Sequence, residues 1–182
     1  MSEANGVVEY ATTPFDPELH DRAAFSCGVE QVDNYFKKTA NKLAKADNVR
    51  LYVRCGDDGK VQGFYAINSH AVHFTELPKK YAHTKPNHGS IPAIYISMIG
   101  RDESCRGQGV GDVLLADALK RIVSAADTVG VAVIMLDVLD CGDPGAVAFR
   151  KTTYERYGFQ SLPSNELRMF LPIATVRAAI AE

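Results

Sequence analysis

The chain has 182 residues, 23% of them charged and 46% hydrophobic, with a formal charge of −2. This composition excludes a disordered or collagen-like chain, and the mild acidity excludes a uniformly basic nucleic-acid binder while leaving room for a local basic patch. The longest apolar run, Val129 to Leu136, falls far short of the ~20 residues a membrane-spanning helix needs.

The length predicts a single domain over residues 1–182. Val7 to Tyr10 reads as a first strand, followed by a proline-marked turn at Thr13 to Pro17. Cys27-Gly28 breaks the chain ahead of a long helix, Val29 to Ala46. Its apolar side runs Val29, Val32, Phe36, Ala40, Leu43, and its other side carries Lys37, Lys38, Lys42 and Lys45. Val49–Cys55 and Val61–Phe74 read as two strands joined by Gly56-Asp57-Asp58-Gly59, a hairpin signal. A polar loop from Leu77 to Ser90 carries Lys79, Lys80, Lys85, His83 and His88. Ile91–Ile99 is apolar enough for a central strand.

The glycine-rich turn RGQGVG, Arg106 to Gly111, follows, and a helix with Val113, Leu114, Ala118, Ile122 and Ala126 at helical spacing begins near Gly109. Val131–Leu139 is a second dense strand. Ala146–Tyr157 is a shorter helix ended by Gly158, Arg168–Ile173 a last strand, and the tail to Glu182 a short helix. This order predicts a mixed α/β sheet with helices on both faces.

Cysteine and histidine say little. Cys27, Cys55, Cys105 and Cys141 form no C-x-x-C pair, and the five histidines form no ligand pattern, so reduced thiols and no metal are expected. His70 and His73 share a strand, where odd spacing sends them to opposite faces. No N-terminal segment has the build of an export signal, so a cytoplasmic location is expected.

The glycine turn carries the chemistry. Glycines allow positive φ and close approach of a ligand, and the first N–H groups of a helix have no internal partner. Strand, turn and helix together therefore predict a pyrophosphate site at the helix start, with Arg106 adding charge and Gln108 an amide. A P-loop is excluded because no Lys-Ser or Lys-Thr follows these glycines as that motif requires. Gly107, Gly109 and Gly111 give G-x-G-x-G, which is not the dinucleotide fingerprint.

The pattern R-x-x-G-x-G at Arg106, Gly109 and Gly111 resembles that of the GNAT acyl-CoA N-acyltransferases. A second signature is similar too: Thr153-Tyr154 leads through Glu155, Arg156 and Tyr157 to Gly158-Phe159, like the family's F-Y-x-x-x-G-F ending with Thr153 in place of the first aromatic. Asp143 stands where relatives commonly have asparagine, and the stretch from Ala146 to Tyr154 is longer than theirs. The segment with Phe25, Cys27, Gly28, Val32, Asp33 and Tyr35, and the closing FQSLPSNELRMFLPI, resemble the toxin-type members that acetylate aminoacyl-tRNA. The resemblance spans about residues 13–173.

The resemblance implies a GNAT fold: a central, mostly antiparallel sheet, splayed between its fourth and fifth strands and flanked by helices. It implies acetyl-CoA as co-substrate, its pyrophosphate on Arg106, Gly107, Gln108, Gly109, Val110 and Gly111, and its thioester carbonyl on a backbone N–H of Ile99, Gly100 or Arg101. Tyr154 becomes the general acid for the leaving thiolate, with Tyr157 its rival. The acceptor is then a primary amine, for the toxin-type members that of aminoacyl-tRNA, and the partners a ribbon-helix-helix antitoxin and a second copy of the chain. No side chain stands out as a base; Glu76, Asp102 and Glu103 are the acidic candidates. An α-amine, with a pKa near 7.7–8.0, needs a base less than a lysine does.

The lysine face, the Lys79–Lys85 loop, Arg50, Arg54, Arg150, Lys151 and Arg156 would serve an RNA acceptor if they converge. A small-molecule or peptide amine needs no such patch. A non-catalytic acyl-CoA sensor and a phosphate-binding module unrelated to CoA are the readings from other classes.

Overall fold

The computed structural model describes residues 9–81 and 83–181. Seven strands form one sheet in the order β1-β2-β3-β4-β5-β7-β6: β1 (Thr13–Pro14), β2 (Arg50–Cys55), β3 (Val61–His73), β4 (Ser90–Arg101), β5 (Val133–Asp137), β6 (Gln160–Leu162) and β7 (Asn165–Pro172). All neighbouring pairs are antiparallel except β4 and β5.

The edge strand differs from expectation. Residues 7 and 8 of the predicted strand lie outside the described residues, and Glu9 and Tyr10 are not in a strand. Thr13 and Pro14, read above as a turn, pair instead with Val53 and Tyr52. Proline, which has no N–H to give to a ladder, fits an edge. The chain leading into β1 is tied down by a buried network. Asp117 accepts hydrogen bonds from the Ala11 N–H, the Thr12 hydroxyl and the Tyr65 hydroxyl, and Arg121 donates to both Asp117 and the Thr12 carbonyl.

The predicted long helix is three pieces in one run: α1 (Glu30–Asn34), a π turn (Tyr35–Thr39) and α2 (Ala40–Lys45). In a pure α-helix, steps of four residues drift by about 40° each. The wider π turn absorbs that drift, so Val32, Phe36 and Ala40 all stay buried on one side. Phe36 stacks on Phe64 at 4.2 Å, and Phe25 meets both rings edge-on.

This helix and the loop after β3 cover one face of the sheet. The other face carries α3 (Val110–Ala126), α4 (Pro144–Arg156) and α5 (Ile173–Ala181). Leu114, Ala118 and Ile122 of α3 are fully buried against Ile134 and Leu136. The hairpin and the tail helix stand where expected. Helix α4 starts at Pro144, two residues earlier than predicted, because Asp143 caps it by accepting from the N–H groups of Gly145 and Ala146. Strand β6 has three residues and carries no sequence signal.

One irregularity shapes the site. Ala66 pairs with Met98 and Ile67 with Ile96, so Ser97 is one residue too many in β4. Its hydroxyl donates to the Ala66 carbonyl at 3.3 Å. Such a bulge bends the strand that carries it. The β4–β5 ladder ends at the Ile96–Leu136 pair, just before the bulge, and β4 runs on to Arg101 beside β3 alone.

Candidate active site

A cleft of about 410 Å³ opens where β4 leaves β5. It lies beyond the carboxyl ends of two parallel strands, where ligands of open α/β sheets gather. Its walls are the end of β4, the chain following β5, the start of α3, one flank of α4 and the segment before α1.

Ile99, Gly100, Arg101, Gly111 and Tyr154 all line it. A Cβ at Gly100 would lie 2.8 Å from Val32 Cγ1, so glycine there lets α1 seat against β4. Past the ladder's end, β4 has no strand on its β5 side, which frees backbone N–H groups for a ligand. Arg101 is half-buried and donates to the Asp102 carbonyl at 3.0 Å.

The RGQGVG turn stands at the α3 N-terminus. Gly107 and Gly109 have φ of +77° and +73°, a region that disfavours any side chain, and Gly109 is the helix cap with no side-chain cap bond. Gly111 has neither excuse: its φ is ordinary and a Cβ would meet nothing within 4 Å, yet it faces the cleft. An open cradle above uncapped N–H groups fits a pyrophosphate. Arg106 projects into solvent, 3.9 Å from Glu103, where its head is free to swing. Gln108 is turned back onto the Ser104 carbonyl, and the Val110 side chain is buried in the core, so Val110 has only its backbone to offer.

Tyr154 sits on α4, packed edge-on against Phe159. Burial pushes its phenol above the ordinary value against the opposing pull of Arg150, so it keeps its proton at neutral pH. Tyr157 faces away from the cleft and donates to Asp112 Oδ1 at 3.0 Å, which leaves Tyr154 as the tyrosine of this helix that meets the cavity.

None of the three acidic candidates for a base lines the cleft. Asp102 braces the turn by accepting from the N–H groups of Ser26 and Ser104. Burial opposes its ionisation, but these bonds and Arg101 outweigh it and hold the carboxyl below the usual range. Glu76 accepts from the His73 N–H in the loop after β3, and Glu103 stands beside Arg106. The acids that do face the cleft are Asp137 and Asp140. Asp137 accepts from Arg168 Nε at 2.7 Å and Nη2 at 2.9 Å, and from the Tyr95 hydroxyl at 2.9 Å. Arg168 holds its carboxyl below the usual range, aided by Tyr95 and opposed by burial. Sequence reasoning missed Tyr95 and Asp137; the available signal was an aspartate closing a run of buried strand residues. Cys27 also faces the cleft, but burial pushes its thiol up to about 11, so it stays protonated at neutral pH.

The basic residues divide. Lys38, Lys42 and Lys45 are exposed, and Lys80 and Lys85 lie over Tyr81 and Phe74 on the same face of the sheet. Arg50 pairs with Asp47, Arg54 donates to the Ala11 carbonyl and Arg156 pairs with Asp112. Arg150 lines the cleft and donates to the Leu139 carbonyl. Among the described residues no three His, Cys, Asp or Glu are grouped to hold a metal, and no helix is long and apolar enough to cross a membrane.

Residues 16–159 match the model of the acetyltransferase (GNAT) family. A probable toxin TacT of Sinorhizobium fredii is 59% identical over 174 residues, 95% of this chain and 96% of that one. A tRNA-acetylating toxin of Mycobacterium tuberculosis is 32% identical over 165 residues, 91% of this chain and 93% of the other. The solved structure of AtaT complexed with acetyl-methionyl-tRNAfMet superposes with a TM-score of 0.80 at 23% identity, covering 93% of this chain and 98% of that one.

Proposed function

The chain belongs to the GNAT acetyltransferase family, and we propose that it moves the acetyl group of acetyl-CoA onto the α-amino group of aminoacyl-tRNA, as the toxin of a toxin–antitoxin pair. The observation that carries the acetyl transfer is the cleft between β4 and β5, entered from the open glycine cradle and reached by Tyr154. The choice of charged tRNA is supported by the tRNA-acetylating toxin at 32% identity, and the toxin role by the probable toxin at 59%.

Each step asks for one thing. The pyrophosphate binds the uncapped N–H groups at the α3 start, with Arg106 swinging onto it and Gly107, Gln108, Gly109, Val110 and Gly111 supplying backbone. The thioester oxygen gains negative charge as the amine attacks, and a β4 N–H within Ile99–Arg101 stabilises it. Tyr154 protonates the departing thiolate. An α-amine near pKa 7.7–8.0 is partly neutral at physiological pH and attacks without a dedicated base. The exposed lysines of the π turn, α2 and the Lys79–Lys85 loop attract the RNA, and a homodimer joins two modest patches. The protein works in the cytoplasm, where charged tRNA resides, and a ribbon-helix-helix antitoxin holds it inactive.

The test is in-vitro translation with purified protein, with and without acetyl-CoA, alongside Tyr154→Phe. Wild-type protein is expected to stop translation only when acetyl-CoA is present, and the variant to transfer acetyl about 10²-fold more slowly. Translation that continues in the presence of acetyl-CoA overturns the toxin reading.

A further inference from the structure

We propose that Tyr95 receives the acceptor: its hydroxyl oxygen accepts a hydrogen bond from the incoming amine and so turns the nitrogen lone pair toward the thioester carbonyl. This rests on the amine-acetylation reading above and names the group that completes its acceptor side.

Position is the first argument. Tyr95 lies one residue before the last β4–β5 pair and lines the cleft together with Asp137. The ladder registers place both on the sheet face that carries α1, whereas Tyr154 packs with the core of the α3 and α4 face. The gap between the strands therefore has a tyrosine on either side. One stands where the thiolate departs; the other stands where a nucleophile attacking from the opposite side arrives.

Hydrogen-bond polarity is the second. A phenol has one proton to donate and lone pairs to accept with. The Tyr95 proton is committed to Asp137 Oδ2 at 2.9 Å, and Asp137 is fixed by the two-pronged grip of Arg168. Toward the cleft the oxygen has only lone pairs to offer. It welcomes an N–H and repels a carbonyl oxygen, which discriminates an amine end from an ester end. Burial and Asp137 push the phenol up to about 12, so this polarity persists across the physiological range.

Charge is the third. Asp137 and Arg168 neutralise each other, so Tyr95 presents no unpaired anion that would favour the ammonium form. At Tyr95 itself the amine can arrive neutral; the cleft's other acid, Asp140, accepts from the Gly142 N–H.

The test uses the full chain, aminoacyl-tRNA charged with a complete amino-acid mixture, and acetyl-CoA with a radiolabelled acetyl group. For Tyr95→Phe, kcat/KM for charged tRNA is expected to fall about 10- to 100-fold, while the KM for acetyl-CoA and the thermal shift induced by CoA stay at wild-type values. A wild-type protein that labels no tRNA overturns the charged-tRNA reading, and with it this inference as an account of that acceptor. An active wild type with a variant inside twofold overturns the inference alone. A variant that loses the CoA-induced shift as well assigns Tyr95 to folding and also overturns it.

Discussion

Two trios of tyrosine, aspartate and arginine stand on opposite faces of the sheet. Asp117 and Arg121 of α3 meet Tyr65 of β3 beneath the helix, with the Asp117 side chain 2% exposed. Tyr95, Asp137 and Arg168 stand at the cleft, with Asp137 37% exposed. In the buried trio the carboxylate also takes Thr12 and the Ala11 N–H, and Arg121 is held between the rings of Tyr10 and Tyr52. In the cleft trio only the carboxylate is saturated, and the tyrosine oxygen keeps a face toward the cavity. The same three side chains thus make a strut where every group is consumed and a reading head where one is left over.

The largest effect that separates them is on stability. Asp117→Ala strips four donors of their shared acceptor and is expected to destabilise by about 3–5 kcal/mol. At about 2–4 °C per kcal/mol for a chain of this length, that is a fall in Tm of roughly 10 °C, read by thermal unfolding. A fall under 3 °C would erase the distinction. Asp137→Ala, half-exposed and screened by water, is expected to cost about 1 kcal/mol while its acetyl transfer drops far more. Equal losses of stability in the two variants would show that exposure does not separate the trios.

Acid sharpens the contrast further. Both carboxyls are held below the ordinary range, Asp117 because bonds from Thr12, Tyr65 and Ala11 and the Arg121 charge overcome its burial. A depressed folded pKa contributes stability that is complete above the unfolded value, near 3.9, and is lost as pH falls through the folded one. Urea midpoints are therefore expected to fall below about pH 4, with a shallower decline in Asp117→Asn and little change of slope in Asp137→Asn. The smallest difference is between the hydroxyls: Tyr65→Phe costs about 1 kcal/mol and Tyr95→Phe about 0.5 or less, measured by equilibrium unfolding.

On the activity side, Tyr154 is protonated wherever its raised phenol pKa exceeds the pH. The rate of acetyl transfer is expected to rise through the amine's pKa, about 7.7–8.0, and to show no descending limb across the physiological range. A descending limb near pH 8 would remove Tyr154 as the acid.

The strut and the reading head were both illegible in the sequence, for the same reason. Asp117 meets Thr12 across 105 positions and Tyr95 meets Asp137 across 42, and no local pattern encodes either distance. What local chemistry dictates was legible: the glycine turn and its helix, the Gly56–Gly59 hairpin, the Gly158 stop and the lysine face. The π turn escaped because apolar spacing of three and four looks the same with or without an extra residue. Thr13–Pro14 escaped because pairing with β2, not propensity, makes it a strand. Tyr154 was legible only through its spacing to Gly158-Phe159; its neighbours in the cleft come from four other parts of the chain.

Ser97 has an arithmetic consequence. Ile91, Ala93 and Tyr95 point to the α1 face, and so do Met98 and Gly100, with a change from odd to even numbers between them. A strand without Ser97 would keep every one of these residues on its present side and fill the same core. The surplus residue is therefore invisible to the apolar interior and felt only by the opening beside it. Losing that one residue would straighten β4 and draw it back toward β5, closing the cleft while leaving the apolar interior as it is.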